Sequence, residues 1–189
     1  MTQTMENPIR FAEPLALSNF SFLKSASHPE ELVQQAKLLG YSAIGIADEC
    51  SLAGIVRAHQ AAKESGIQLL VGAQFLFAHS SQFAGQRIAL VVKNKTGYTH
   101  LCRLITQARS RAFKGDYLFT REDLADIPPG LHLLLLPDER NKENLAALLS
   151  WCAKRFTGRM HLVCNLQHRG FDKAWLLHLQ TLAHLHHVE

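Results

Sequence analysis

The chain has 189 residues, 47% of them hydrophobic, and a net charge of +4, enough apolar material to bury a substantial core in one domain or most of one. It has no run of the roughly 18 apolar residues that a membrane span needs, and its opening MTQTMENPIRFAEP has no apolar signal-peptide core. These features exclude a membrane span and a secretory leader and imply a cytoplasmic protein.

Strands and helices alternate throughout, as a parallel α/β architecture requires. A first strand is expected near Glu13 to Leu17. A helix follows, opened by Ser27 with Glu30 three residues later as a capping box and Pro29 in its first turn. Leu32, Val33, Ala36 and Leu39 form its apolar stripe, and Gly40 ends it. A second strand, Ser42 to Ala47, leads to a helix from Leu52 to Ser65 closed by Gly66, then a third strand from Gln68 to Val71. QFLFAH and RIALVV flank a short polar stretch and predict a hairpin-like excursion or two neighbouring strands.

A long helix is predicted from Thr96 to Arg111, with Tyr98, Leu101, Leu104, Ile105 and Ala108 on its apolar face. After it come a short helix begun by Thr120, the breaker Pro128-Pro129-Gly130, a strand from Leu131 to Leu136 and a helix from Lys142 to Arg155. A strand from Met160 to Leu166 and a helix from about Asp172 complete the chain. Cys50, Cys102, Cys152 and Cys164 are widely spaced and read as free, buried or half-buried thiols. His161 and Cys164 fall on opposite faces of the predicted strand. His184, His186 and His187 lie at a helix end, where charged imidazole suits the dipole without a metal.

Five segments occur in order: LSNFSFL (Leu17 to Leu23), SHPEELV (Ser27 to Val33), ADECSLAGIVRAH (Ala47 to His59), LLVGAQF (Leu69 to Phe75) and GYTHLCRLITQARSRAFKGDY (Gly97 to Tyr117). Together they resemble the N-terminal PHP (polymerase and histidinol phosphatase) domain of bacterial C-family replicative polymerases, most closely the error-prone DNA polymerase branch. The resemblance implies a distorted (β/α)7 barrel. It is incomplete at the C-terminus, because only five or six strands are predicted and the late Asp-x-His motif is missing. Residues 1–12 are then an N-terminal extension and residues 13–189 a partial PHP domain.

Metal-binding members end their first strand in His-x-His, where side chains two apart share a face. Here Leu15 and Leu17 hold those positions, and two inward leucines read as ordinary barrel core. The family's next Asp aligns with Lys24, which would repel a cation. Its Thr-Asp-His reads Ala47-Asp48-Glu49, leaving Asp48 as a remnant beside the altered ligand position, and its VG-x-E acid aligns with Gln74. The resemblance therefore implies no metal in this chain. The magnesium of the family belongs to an acidic palm domain, which these 189 residues do not supply; Asp138 and Glu139 read as surface or helix-leading acids.

From Lys93 to Arg121 there are seven basic residues against one acid. Lys93, Lys95, Arg103, Arg109, Arg111 and Lys114 can meet a phosphate backbone, face solvent or dock on an acidic partner. Three functional readings follow. The first is a catalytically silent PHP domain that braces the remaining polymerase domains in cis. The second is an independent metal-dependent phosphoesterase rebuilt from Asp48, Glu49, His79, His132 and His161. The third is a nucleic-acid module using the basic stretch, for which Tyr98, Phe113, Tyr117 and Phe119 are only partly interleaved with the charges. An open barrel also leaves two sheet edges unpaired and predicts self-association.

Overall fold

A computed structural model of the chain describes residues 11–139, 141–166, 168 and 170–188. Among these, six strands form one sheet in sequential order. They are β1 (Ala12–Ala16), β2 (Ala43–Glu49), β3 (Gln68–Leu76), β4 (Arg87–Val92), β5 (Leu131–Leu136) and β6 (Met160–Leu162). β1, β2 and β3 run parallel, as do β5 and β6, whereas β4 is antiparallel to both its neighbours. The antiparallel β3–β4 pair is the hairpin-like excursion expected from QFLFAH and RIALVV, and with β4–β5 it corrects the parallel architecture expected for the sheet as a whole. The connection from Leu76 to Arg87 carries no helix, and a parallel return needs a crossover of a dozen or more residues.

The helices are α1 (Pro29–Leu38), α2 (Ile55–Ser65), α3 (Lys95–Ser110), α4 (Leu145–Arg155) and α5 (Asp172–His186). They bury one side of the sheet in two cores. α1 and α2 bring Val33, Ala36, Ile55, Ala58 and Ala62 against Ile44 and Ile46. Around α3, α4 and α5 a larger core holds Phe75, Phe77, Leu101, Leu104, Phe119, Leu133 and Phe156. Each such Leu or Phe contributes about 1.5–3 kcal/mol through burial. β5 shows the sidedness: Leu131, Leu133 and Leu135 are buried, while His132, Leu134 and Leu136 alternate with them on the half-buried concave face.

The sheet curls as a half barrel and does not close. β1 pairs only with β2 and β6 only with β5 among the described residues. The incomplete PHP-type barrel expected from the sequence is the observed fold. Its opening corrects the assignment of Leu15 and Leu17 as barrel core: both are half-buried, and Leu15 lines a concave cavity of about 670 Å³ with Gln74, Leu76, Arg87 and Leu136. Among the described residues the sheet does not close over them.

Local signals also shift by a residue or more. The α1 capping box uses His28 and Glu31, whose Oε2 accepts from the His28 backbone N–H at 2.8 Å. Glu30 instead pairs with Arg57 of α2. Leu39 is 59% exposed rather than part of the stripe. Phe11 and Ala12, placed in the N-terminal extension by sequence, join the sheet edge; the Phe11 carbonyl accepts from Ser42 N at 2.8 Å. The rest of that segment, residues 1–10, lies outside the described residues. β6 stops at Leu162, so Cys164 sits in the loop that follows. α2 and α4 start three residues later than expected, at Ile55 and Leu145.

Candidate functional site

In this half barrel, the C-terminal ends of β1, β2 and β3 and the start of β4 meet at one rim. Asp48 and Glu49, successive residues at the end of β2, face opposite sides of the sheet. Asp48 is 1% exposed. Its Oδ1 accepts from Ser18 N at 2.7 Å and Ser21 Oγ at 2.6 Å, and its Oδ2 accepts from Ser18 Oγ at 2.6 Å. One carboxylate thus locks the loop after β1 to the end of β2.

Glu49 faces the concave side. Its Oε2 meets the Lys24 ammonium and lies 3.5 Å from Arg87 Nη1, while Oε1 accepts from the Tyr117 hydroxyl at 2.7 Å. That hydroxyl in turn accepts from Leu76 N at 2.9 Å. The cluster is 15% exposed at Glu49, so its charges act through a low dielectric. Burial, and then repulsion from Arg87, hold the Lys24 ammonium below the usual lysine range. Burial raises the Tyr117 phenol, leaving it a neutral donor at pH 7. Gln74 completes the rim, with Nε2 donating to the Leu15 carbonyl at 3.4 Å.

Residues 17–186 match the PHP domain family. The chain belongs to that family. It is 44% identical over 162 residues to the error-prone DNA polymerase of Pseudomonas aeruginosa, and 42% identical over 173 residues to that of Ralstonia nicotianae. Each alignment covers 86% of this chain but only 15% and 16% of the relative, respectively. The chain therefore spans under a fifth of the length of these relatives. Among solved structures it resembles a provisionally assigned metal-dependent phosphoesterase from Bifidobacterium adolescentis, with a TM-score of 0.62, 15% identity and coverage of 97% of this chain and 86% of the other. It also resembles an amidohydrolase from Chromobacterium violaceum with bound sulfate and no metal, with a TM-score of 0.60, 12% identity and coverage of 94% and 84%. At that identity these two likenesses concern the fold alone.

The residues of this PHP domain do not fit the metal that the family fold implies. Leu15 and Leu17 have no lone pairs, and Gln74 offers a neutral amide already turned to a backbone carbonyl. Asp48 has its oxygens committed to three donors and points away from the concave face. Glu49, the carboxylate best placed for a cation, is taken by two cations of the chain itself. Lys24 was expected to repel a metal; in the fold it stands beside the carboxylate where a metal would have to bind.

The residues of a rebuilt phosphoesterase site are not brought together. His79 is exposed in the β3–β4 loop. His132 and His161 stack on the concave face, with ring centroids 6.2 Å apart, but two strands, β3 and β4, separate His132 from Glu49. Among the described residues no group of three His, Cys, Asp or Glu converges as a metal site. Burial pushes the Cys50 and Cys152 thiols up to about 11 and about 12, so neither is a thiolate nucleophile at neutral pH.

The basic stretch divides in two. Arg109 donates through Nε to the Cys50 carbonyl at 2.9 Å, fastening α3 to the end of β2, and Arg111 Nη1 pairs with Asp123 Oδ1 at 2.7 Å. Lys93, Lys95, Arg103 and Lys114 are exposed. Of the interleaved aromatics, Phe119 is buried in the core and Tyr117 is bound to Glu49; Phe113 is 94% exposed. Tyr98, assigned to the apolar face of α3, is 42% exposed, and Gly97 is buried in its place. Sequence reasoning missed Ser18, Ser21 and Arg87, and weighed Tyr117 only as an aromatic of the basic stretch, not as a partner of Glu49. The serines stand inside LSNFSFL and could have been read as partners of a surviving Asp, whereas nothing local marks Arg87 or Tyr117.

Proposed function

We propose that this chain is a metal-free, non-catalytic PHP domain of an error-prone DNA polymerase, and that it braces the polymerase domains of a longer polypeptide. DNA synthesis, with its magnesium chemistry, and the roles in repair and translesion synthesis belong to that longer protein, as does the cytoplasmic location. The observation carrying the non-catalytic reading is the Lys24 ammonium on Glu49, backed by Arg87. A divalent cation there would have to displace two fixed cations from a largely buried carboxylate, at a cost of several kcal/mol.

The Glu49 cluster instead ties the β1 loop, β2, β4 and the segment after α3 into one rim, the kind of rigid platform a bracing domain needs. DNA contact, if part of this function, falls to the exposed Lys93, Lys95, Arg103 and Lys114, because Arg109 and Arg111 already hold the fold together. The test is hydrolysis of bis(p-nitrophenyl) phosphate by the purified chain with manganese, zinc or iron, alongside its metal content. No metal-dependent turnover and no bound metal is the expected result. Turnover that rises with metal and disappears on Glu49→Gln would overturn the proposal.

A further inference from the structure

The loop between β1 and α1 is tightly braced yet displays large apolar side chains to solvent. Ser18 and Ser21 are buried and bound to Asp48. The backbone closes on itself through Ser21 N to Ser18 O at 2.9 Å, Lys24 N to Ser21 O at 2.9 Å and Asn19 N to Ser27 O at 2.8 Å. At its tip Phe22 is 81% and Leu23 89% exposed, and Leu23 is held at φ +60°. A left-handed leucine is unfavourable by about 1 kcal/mol or more and persists only where its surroundings impose it. Behind them Phe20, 39% exposed, lies against Gly54 at the start of α2.

Charge and area narrow the choice of partner. The cation adjoining the patch in sequence, Lys24, is already matched by Glu49. A phosphate backbone would find little to neutralise there, whereas an apolar protein surface needs no counter-charge. The patch presents on the order of a few hundred Å², short of the roughly 800 Å² that each partner in a stable free complex buries. A contact of that size works between tethered domains, where effective concentration reaches about the millimolar range.

We propose that Phe22 and Leu23, with Phe20 at their base, form a preorganised apolar anchor that docks on another domain of the same longer polypeptide. This rests on the polymerase reading above. Because the loop is rigid before docking, little conformational entropy is lost on contact.

The test is hydroxyl-radical footprinting of this 189-residue chain and of the full polypeptide encoded by its gene. Phe22 and Leu23 should oxidise at least about fivefold more slowly in the full polypeptide, as expected when exposed side chains enter a packed interface. The Phe22→Ser/Leu23→Ser variant should lower the Tm of the full polypeptide while leaving that of the 189-residue chain unchanged. Equal oxidation in both contexts overturns the anchor and leaves the polymerase reading standing. A gene whose frame closes at Glu189 overturns both. Protection that appears only with an added oligo-dT strand, or only as the isolated chain is concentrated, overturns the anchor in favour of nucleic acid or of a second copy, respectively.

Discussion

Asp48 and Glu49 are neighbours in sequence at the end of one strand, yet the fold answers their charges in opposite ways. Among the described residues no cation pairs with Asp48; two hydroxyls and a backbone N–H, all from Ser18 and Ser21, surround it. Glu49 is met by Lys24 and Arg87, with Tyr117 on its other oxygen. Strand alternation alone assigns them to different faces. On the helix side the nearby loop supplies neutral donors, which satisfy a buried carboxylate at short range. On the concave side the chain supplies its own cations. The rim around Glu49 is therefore an ion cluster in its own right.

The sharpest way to break this comparison is Asp48→Ala. It leaves three buried donors without an acceptor, and a loss of about 3 kcal/mol is expected. Thermal denaturation should show a fall in Tm of roughly 6–12 °C for a chain of this size; a change near zero would mean that water replaces the carboxylate without penalty.

Lys24→Met should cost less, about 1–2 kcal/mol, because Lys24 is 40% exposed and Arg87 and Tyr117 remain. Pairing it with Glu49→Gln in a double-mutant cycle sharpens the point. The double variant should lose less than the sum of the singles, and additive losses would show that the two side chains do not share a site.

A smaller effect concerns pH on the same concave face. Burial, and then the nearby His161, Lys93 and Arg159, lower the His132 imidazole below its ordinary value of 6.5. The unfolded chain therefore binds this proton more readily than the fold does. The stability held above pH 6.5 should drain away as the pH falls below that value. His132→Gln should flatten this part of the profile in denaturation measured from pH 7.5 to 5, and an unchanged slope would reassign it to other groups, including His100, which is lowered mainly by its own burial.

The smallest expected effect is that of metal. Millimolar manganese or zinc should leave the Tm within about 1 °C, since a ligand stabilises only through binding the native state. Lys24→Asp, which exchanges a cation for a carboxylate beside Glu49, is the variant in which a metal-dependent rise should first emerge.

Much of the fold was legible in the sequence because its signals are local. The bounds of β5, the Thr120-led turn and the Gly66 stop of α2 follow from a breaker and from capping, and each stands where those signals placed it. Less legible were features fixed by competition between nearby candidates. Ser27 is a good cap by composition, but His28 with Glu31 takes the role, and Ser27 instead turns its carbonyl to Asn19. Leu15 and Leu17 read as core because leucine usually is; among the described residues the sheet does not close over them, which leaves them half-exposed.

The sequence by itself determined that Leu15 and Leu17 offer no lone pair and Gln74 only a neutral amide, since these are properties of residue type, and the motif order carried the family. It ended the second strand at Ala47, so the two-sided display of Asp48 and Glu49 came to light only with β2 running on to Glu49. Which groups answer the two charges was a tertiary decision. Tyr117 reaches Glu49 across 68 residues of sequence, and Arg87 arrives through β3–β4 register that pairs it with Leu76 at the rim. Neither carries a local signal, because long-range pairing is fixed by sheet register and the desolvation of charge, and those exist only once the chain has folded.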